Sequence, residues 1–197
     1  MNESAQNPTH SSANSEILIR VQGTPNPNAW KFVLDRPVLT DGKASYSTIE
    51  EAAQNNLAKS IFEIPGVRQV HYFQNVITVT HQFDVDFELI RESICAVIQT
   101  RMPVHNANQT LVDEKKMSRA HLPEDVQKIE DILDRTIRPG LQGDGGDIEV
   151  IKYDENKVYV SYQGACGTCP SSTTGTLMAI EGILRDEFNP TIEVIPL

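Results

Sequence analysis

The sequence predicts an α+β protein built as two small layers, and three observations carry that expectation. Apolar residues recur at period two in short stretches and at three-to-four spacing in longer ones, and the two patterns alternate along the 197 residues. Around residues 104–122 both periods vanish, which splits the chain into halves of domain size. The element order expected is ββαββα and then αββαβ. A first domain spans 17–104, a linker 105–122 and a second domain 123–197, and residues 1–16, rich in Asn and Ser, are expected to be disordered.

The first strand is expected where Ile17, Ile19 and Val21 alternate with Leu18, Arg20 and Gln22. Thr24-Pro25-Asn26-Pro27-Asn28 has the chemistry of a rigid turn, and Ala29–Leu34 resumes as the second strand. Thr48 and Glu51 form a capping-box pattern, followed by Ile49, Ala52, Ala53, Leu57 and Ile61 on one helical stripe. Pro65-Gly66 ends that helix. Val67–Phe73 and Val76–Thr80 then form a hairpin around Gln74-Asn75, and Phe87, Ile90, Ile94 and Val97 mark a helix that closes at Met102-Pro103. Trp30 is expected to pin its strand to this helix layer.

In the second half Pro123 opens a helix with the stripe Val126, Ile129, Leu133 and Ile137, and Arg138-Pro139-Gly140 stops it. The turn Gly143-Asp144-Gly145-Gly146-Asp147 follows, its two carboxylates expected to bond local backbone rather than to act as an acid–base pair. Ile148-Val150-Lys152 and Val158-Val160-Tyr162 alternate as strands joined near Glu155-Asn156. A Gly-Ala-Cys loop leads into a helix carrying Leu177, Ile180, Ile183 and Leu184, and Ile192–Val194 is the last strand.

Charge excludes some classes of partner. Seventeen bases against 27 acids give a net charge of −10, which repels phosphate backbones and anionic surfaces, so no nucleic-acid partner is expected. The acidity lies mostly in residues 105–197, which carry 16 acids and 9 bases, against 9 and 8 in residues 17–104. No stretch has the ~18 consecutive apolar residues of a membrane span. Residues 1–16 contain no Lys or Arg and no apolar core, unlike a secretory or mitochondrial leader, so a cytoplasmic, bacterial setting is the expectation.

Among the three cysteines, Cys166 and Cys169 are the candidate site. Three cysteines placed at random show a spacing of three in roughly 3% of arrangements, so the pair stands out. It lies between a strand and the start of a helix, where free N–H groups and the positive helix end favour thiolates. Zinc or an iron–sulfur cluster generally requires four protein ligands, and this is half a set. Cys95 is expected to be a buried apolar thiol, and His10, His71, His81, His105 and His121 are scattered with none near the pair. The simplest completion is a homodimer in which two Cys166/Cys169 pairs face each other across a two-fold axis. Two other uses stay open on the residues alone: thiol–disulfide exchange through C-G-T-C, and a zinc-stapled dimer. No nucleophile–His–acid arrangement is present, so no catalytic residue is expected.

At these residues the chain resembles the NifU-like (Nfu-type) iron–sulfur cluster scaffold and carrier family. The second half matches through Ile129-Glu130-Asp131, Ile137-Arg138-Pro139, Gly143 to Ile148, Gln163-Gly164-Ala165-Cys166 and Cys169-Pro170-Ser171-Ser172. The first half matches through Thr24 to Asn28 with Lys31-Phe32, Leu57-Ala58, Ile64-Pro65-Gly66-Val67 and Val76 to Thr80. One departure is that Gly167 follows the first cysteine, where the family usually sets its glycine before the second. The resemblance implies that Cys166 and Cys169 ligate a labile [4Fe–4S] cluster, with [2Fe–2S] the other type. It implies further that two protomers share the cluster and pass it to apo iron–sulfur client proteins within the cluster assembly machinery, a binding role rather than an enzyme's.

Overall fold

The structure is a computed structural model and describes residues 16–108, 122–167 and 170–197. The disorder expected of residues 1–16 falls, but for Glu16, outside the described residues, as do most of the linker, Thr168 and Cys169.

The first half forms a sheet of five strands: β1 (Ile19–Gly23), β2 (Ala29–Leu34), β3 (Lys43–Tyr46), β4 (Val67–Phe73) and β5 (Val76–His81). The spatial order is β1-β2-β5-β4-β3, antiparallel throughout. Two helices, α1 (Asn56–Phe62) and α2 (Phe87–Arg101), cover one face. Period two does the sorting: Phe32, Leu34, Val70, Tyr72, Ile77 and Val79 point to the helices and are buried with Leu57, Ile61, Ile94 and Ile98. Trp30 stacks flat on Phe87 of α2, with 4.1 Å between ring centroids, so the expected pinning of β2 to the helix layer is observed.

Two local expectations are revised here. Strand β3 was not foreseen, because Lys43-Ala44-Ser45-Tyr46 is short and only Ala44 and Tyr46 are apolar-facing; pairing with β4 makes it a strand. The helix expected from Thr48 begins instead at Asn56, capped by the Asn55 side chain, which accepts from the Ala58 N–H at 2.9 Å. The capping-box groups do bond, Glu51 N–H to Thr48 Oγ1 and Ser47 N–H to Glu51 Oε2, but they close turns only.

The second half places α3 (Glu124–Thr136) and α5 (Pro170–Glu187) on a sheet of β6 (Gly146–Asp154), β7 (Lys157–Gly164) and β8 (Glu193–Pro196), with β8 parallel to β7. Glu155 and Asn156 turn the β6–β7 hairpin with φ of +46° and +65°, the left-handed pair that suits a two-residue hairpin turn. Arg138-Pro139-Gly140 does end α3, but a short helix α4 (Arg138–Gly143) starts at once, its proline in the first turn where no N–H is missed. A second core forms from Val126, Ile129, Leu133, Ile148, Val160, Ile180 and Leu184. No helix among the described residues is long and apolar enough to cross a membrane.

Candidate functional site

The cysteine loop joins β7 to α5. Residues Ala165 to Gly167 turn the chain, and the Gly167 N–H bonds back to the Gly164 carbonyl at 3.1 Å. Cys166 is 4% exposed and packs with the second core. Its sulfur lies over Gly146, where a methyl group would run into Sγ and would stand 2.8 Å from the Cys166 nitrogen. Only glycine at that position leaves room for the thiol. Tyr162 sits close by, its hydroxyl pushed up to about 12 by burial and by the neighbouring Cys166. Helix α5 carries no acidic residue in its first turn, so no carboxylate of its own first turn opposes negative charge at its N-terminal end. Cys169 lies outside the described residues. Among the described residues no group of three or more His, Cys, Asp or Glu side chains is placed to hold a metal ion.

Beneath the loop, the Gly143–Ile148 turn is anchored by a buried ionic network. Arg138 lies 2.6 Å from the Glu130 carboxylate and 3.4 Å from Asp147, pairs with Asp134, and donates to the Ile148 carbonyl at 3.1 and 3.2 Å. Burial works against the Arg138 charge, but Glu130 and Asp134 hold its pKa above the ordinary value. Asp147, fully buried, accepts from the Ile148 N–H at 2.6 Å, which matches the expected bond to local backbone. It also pairs with Lys43, an ion pair that sequence spacing does not announce.

Lys43 belongs to the first half, and it is one of several groups that reach across. The face of the five-stranded sheet turned away from its helices carries Lys31, Lys43, Ser45, Gln69, His71 and Thr78, and it meets the second half at the Gly143–Ile148 turn and the cysteine loop. Lys31 Nζ donates to the Gly143 carbonyl at 2.6 Å and Lys43 Nζ lies 2.8 Å from Asp147. Asn26, held by its own turn through Thr24 and Asn28, donates to the Ala165 carbonyl at 2.8 Å, one residue before Cys166.

His71, one of the scattered histidines, packs beside the strand end that leads into the cysteine loop. Its ring lies against Gly164, two residues before Cys166, at 3.2 Å from where a Cβ would stand. Gln163 Nε2 donates to Glu149 at 2.7 Å, and Gln163 Oε1 lies 3.2 Å from the Ser45 hydroxyl. The same hydroxyl meets His71 Nδ1 at 2.6 Å, and His71 Nε2 is buried without a hydrogen-bond partner among the described residues. Burial, outweighing the attraction of Asp147, pushes the His71 pKa down to about 4, so the ring is neutral near pH 7. Cys95 is in α2, partly rather than fully buried against the first core, with burial raising its thiol pKa.

Comparison with known proteins places these residues in company. The family described as "NifU-like domain" matches residues 129–195, and "Scaffold protein Nfu/NifU N terminal" matches residues 19–104. NifU-like protein 5, mitochondrial, of Arabidopsis thaliana is 35% identical over 177 residues, covering 85% of this chain and 63% of its own length. The NFU1 iron-sulfur cluster scaffold homolog, mitochondrial, of Homo sapiens is 34% identical over 174 residues, covering 86% of this chain and 67% of its own. The chain thus spans about three fifths of the length of the Arabidopsis relative. A solution structure of a NifU-like protein from Saccharomyces cerevisiae aligns at TM-score 0.45 and 20% identity, over 56% of this chain and 99% of that one.

Proposed function

Since the chain belongs to the Nfu-type NifU-like family, we propose that it is an iron–sulfur cluster scaffold and carrier, with the cluster as its cargo. Cys166 and Cys169 are the ligands, two thiolates per chain, and two chains bring four to one [4Fe–4S] cluster. The observation that carries the reading is a cysteine loop at a helix N-terminus, built on Gly146 and free of first-turn carboxylates, in a chain too poor in cysteine to complete a site alone. A cluster held between subunits is labile, which suits delivery to apo client proteins. The domains are 17–104 and 123–197 with 105–122 as linker, and the first domain serves client recognition rather than cluster chemistry. A reducing compartment, such as the bacterial cytoplasm, keeps the thiols available.

Anaerobic reconstitution followed by iron, acid-labile sulfide and native mass measurements on one sample tests this. Full loading gives ~2 iron and ~2 sulfide per chain and a shift in mass from monomer to dimer, since a ligand of the associated state stabilises it by mass action. Cys166→Ser and Cys169→Ser each abolish stable loading while the fold persists. Cys95→Ala loads normally. Zinc at ~0.5 per chain without sulfide would reassign the cargo, and a monomer carrying a complete cluster with no added small-molecule thiol would overturn the shared site.

A further inference from the structure

We infer that the polar outer face of the five-stranded sheet is the docking surface for the cysteine loop of its own chain, and that this closed form must open before two loops can share a cluster. The inference rests on the reading above for what opening serves, and on geometry for the closure itself. Around Lys31, Ser45, His71 and Thr78 period-two patterning leaves the outer face polar, as a face made for solvent would be, yet His71, Thr78 and Thr80 are each 1% exposed. What covers this face is the second half of the chain. Lys31 takes the Gly143 carbonyl, Lys43 the Asp147 carboxylate and Ser45 the Gln163 side chain. His71 lies against Gly164, and Gln69 Oε1 lies 3.5 Å from the Cβ position of Gly167. The Asn26 bond to Ala165 completes the hold. Residues on both sides of Cys166 are therefore engaged by the first half, and the thiol is turned inward over Gly146.

A shared cluster needs the opposite arrangement, with thiolates presented outward to a second copy of the loop. The two uses of the loop exclude one another. The docked interface also has the energetics of something that opens. It joins two separate cores through polar groups, and Gln69 Oε1, His71 Nε2 and Thr78 Oγ1, which lie against Gly167, Gly164 and Gly145, are buried without a hydrogen-bond partner among the described residues. Each such group regains a water partner on separation, which offsets the loss of the ion pair and of the hydrogen bonds made by Lys31, Ser45 and Asn26.

The test uses the full-length apo protein, reduced, and follows iodoacetamide labelling of the Cys166-containing peptide by mass spectrometry. Wild type and the double variant Asn26→Ala, Lys43→Met are compared; Asp147 keeps Arg138 in the variant, and circular dichroism checks the fold of both. Tenfold or faster labelling of Cys166 in the variant supports docking, and equal rates in two folded proteins overturn it. Small-angle scattering supplies an independent measurement: the wild-type apo monomer has the radius of the closed form, and the variant is larger. An apo wild type already extended, or an apo dimer in which the face holds a second copy's loop, also overturns the proposal. These readings are taken without metal, so failure to load iron and sulfide would count against the carrier function alone.

Discussion

Gly146 and Arg138 show what single residues do here. At Gly146 the thiol of Cys166 occupies the space of a side chain, so Gly146→Ala should displace the sulfur and its loop. An expected loss of about 1–3 kcal/mol follows from overpacking a filled site; an unchanged melting temperature would contradict it. Arg138 is the shared cation of Glu130, Asp134 and Asp147. Arg138→Met leaves two buried carboxylates, with Lys43 the remaining cation at Asp147, and should destabilise the second half by about 3–5 kcal/mol. Urea denaturation followed by circular dichroism measures it. In the sequence Arg138 reads as part of a helix stop and of the Ile137-Arg138-Pro139 motif, and nothing in its spacing reveals that the Gly143–Ile148 turn folds back over it.

Among the elements, the short helix α1 shows local and tertiary signals competing. Its expected start at Thr48 followed a sound capping pattern, and those side chains do make their bonds. The chain nevertheless stays in turns until Asn55, whose side chain both caps Ala58 and donates to the Tyr46 hydroxyl at 3.2 Å. A helix of seven residues has little stability of its own, so this dual anchor decides where it begins. Asn55→Ala should cost about 1–2 kcal/mol, and thermal melting of the full chain should show a drop of several degrees in the first-half transition. A melting curve matching wild type would mean the cap contributes little.

For the whole molecule, the two cores and the polar surface between them set a pH dependence. His71 has a pKa of about 4 when buried at this interface, against about 6.5 in an unfolded chain. Its depressed value means the unfolded or opened chain binds the extra proton first, so stability from this group is present above pH ~6.5 and lost as pH falls toward 4. The loss reaches on the order of 3 kcal/mol. Asp147 and Lys43 are the charged groups facing the ring, the first raising and the second lowering its pKa. Melting temperatures measured across pH 7 to 4 should fall more steeply in wild type than in His71→Asn; parallel curves would exclude the histidine as the source. Because the second half has its own core, a fragment of residues 120–197 should fold and load cluster without the first half. Compared with the full chain, its transfer to several apo clients should show client-dependent losses, and a folded fragment unable to hold cluster would defeat the division of roles.

What the sequence determined by itself is whatever depends on neighbours a few residues apart: the α+β class, β2, α2 and the strands of the second half, and the Cys166/Cys169 pair with its helix-entry setting. Period, capping and turn chemistry are local, so they can be read in one dimension. Tertiary structure alone decided which side of the first sheet would be covered. Lys43 and Ser45 lie on a strand that local pattern does not announce and His71 on one that it does, and the three became an interface because residues about 100 positions away, Asp147, Gln163 and Gly164, carry the complementary charge, hydrogen bonds and empty space. The same holds for Asn26, whose turn was legible and whose target was not. Complementarity between distant surfaces leaves no periodic trace in a chain, since either side alone satisfies water equally well.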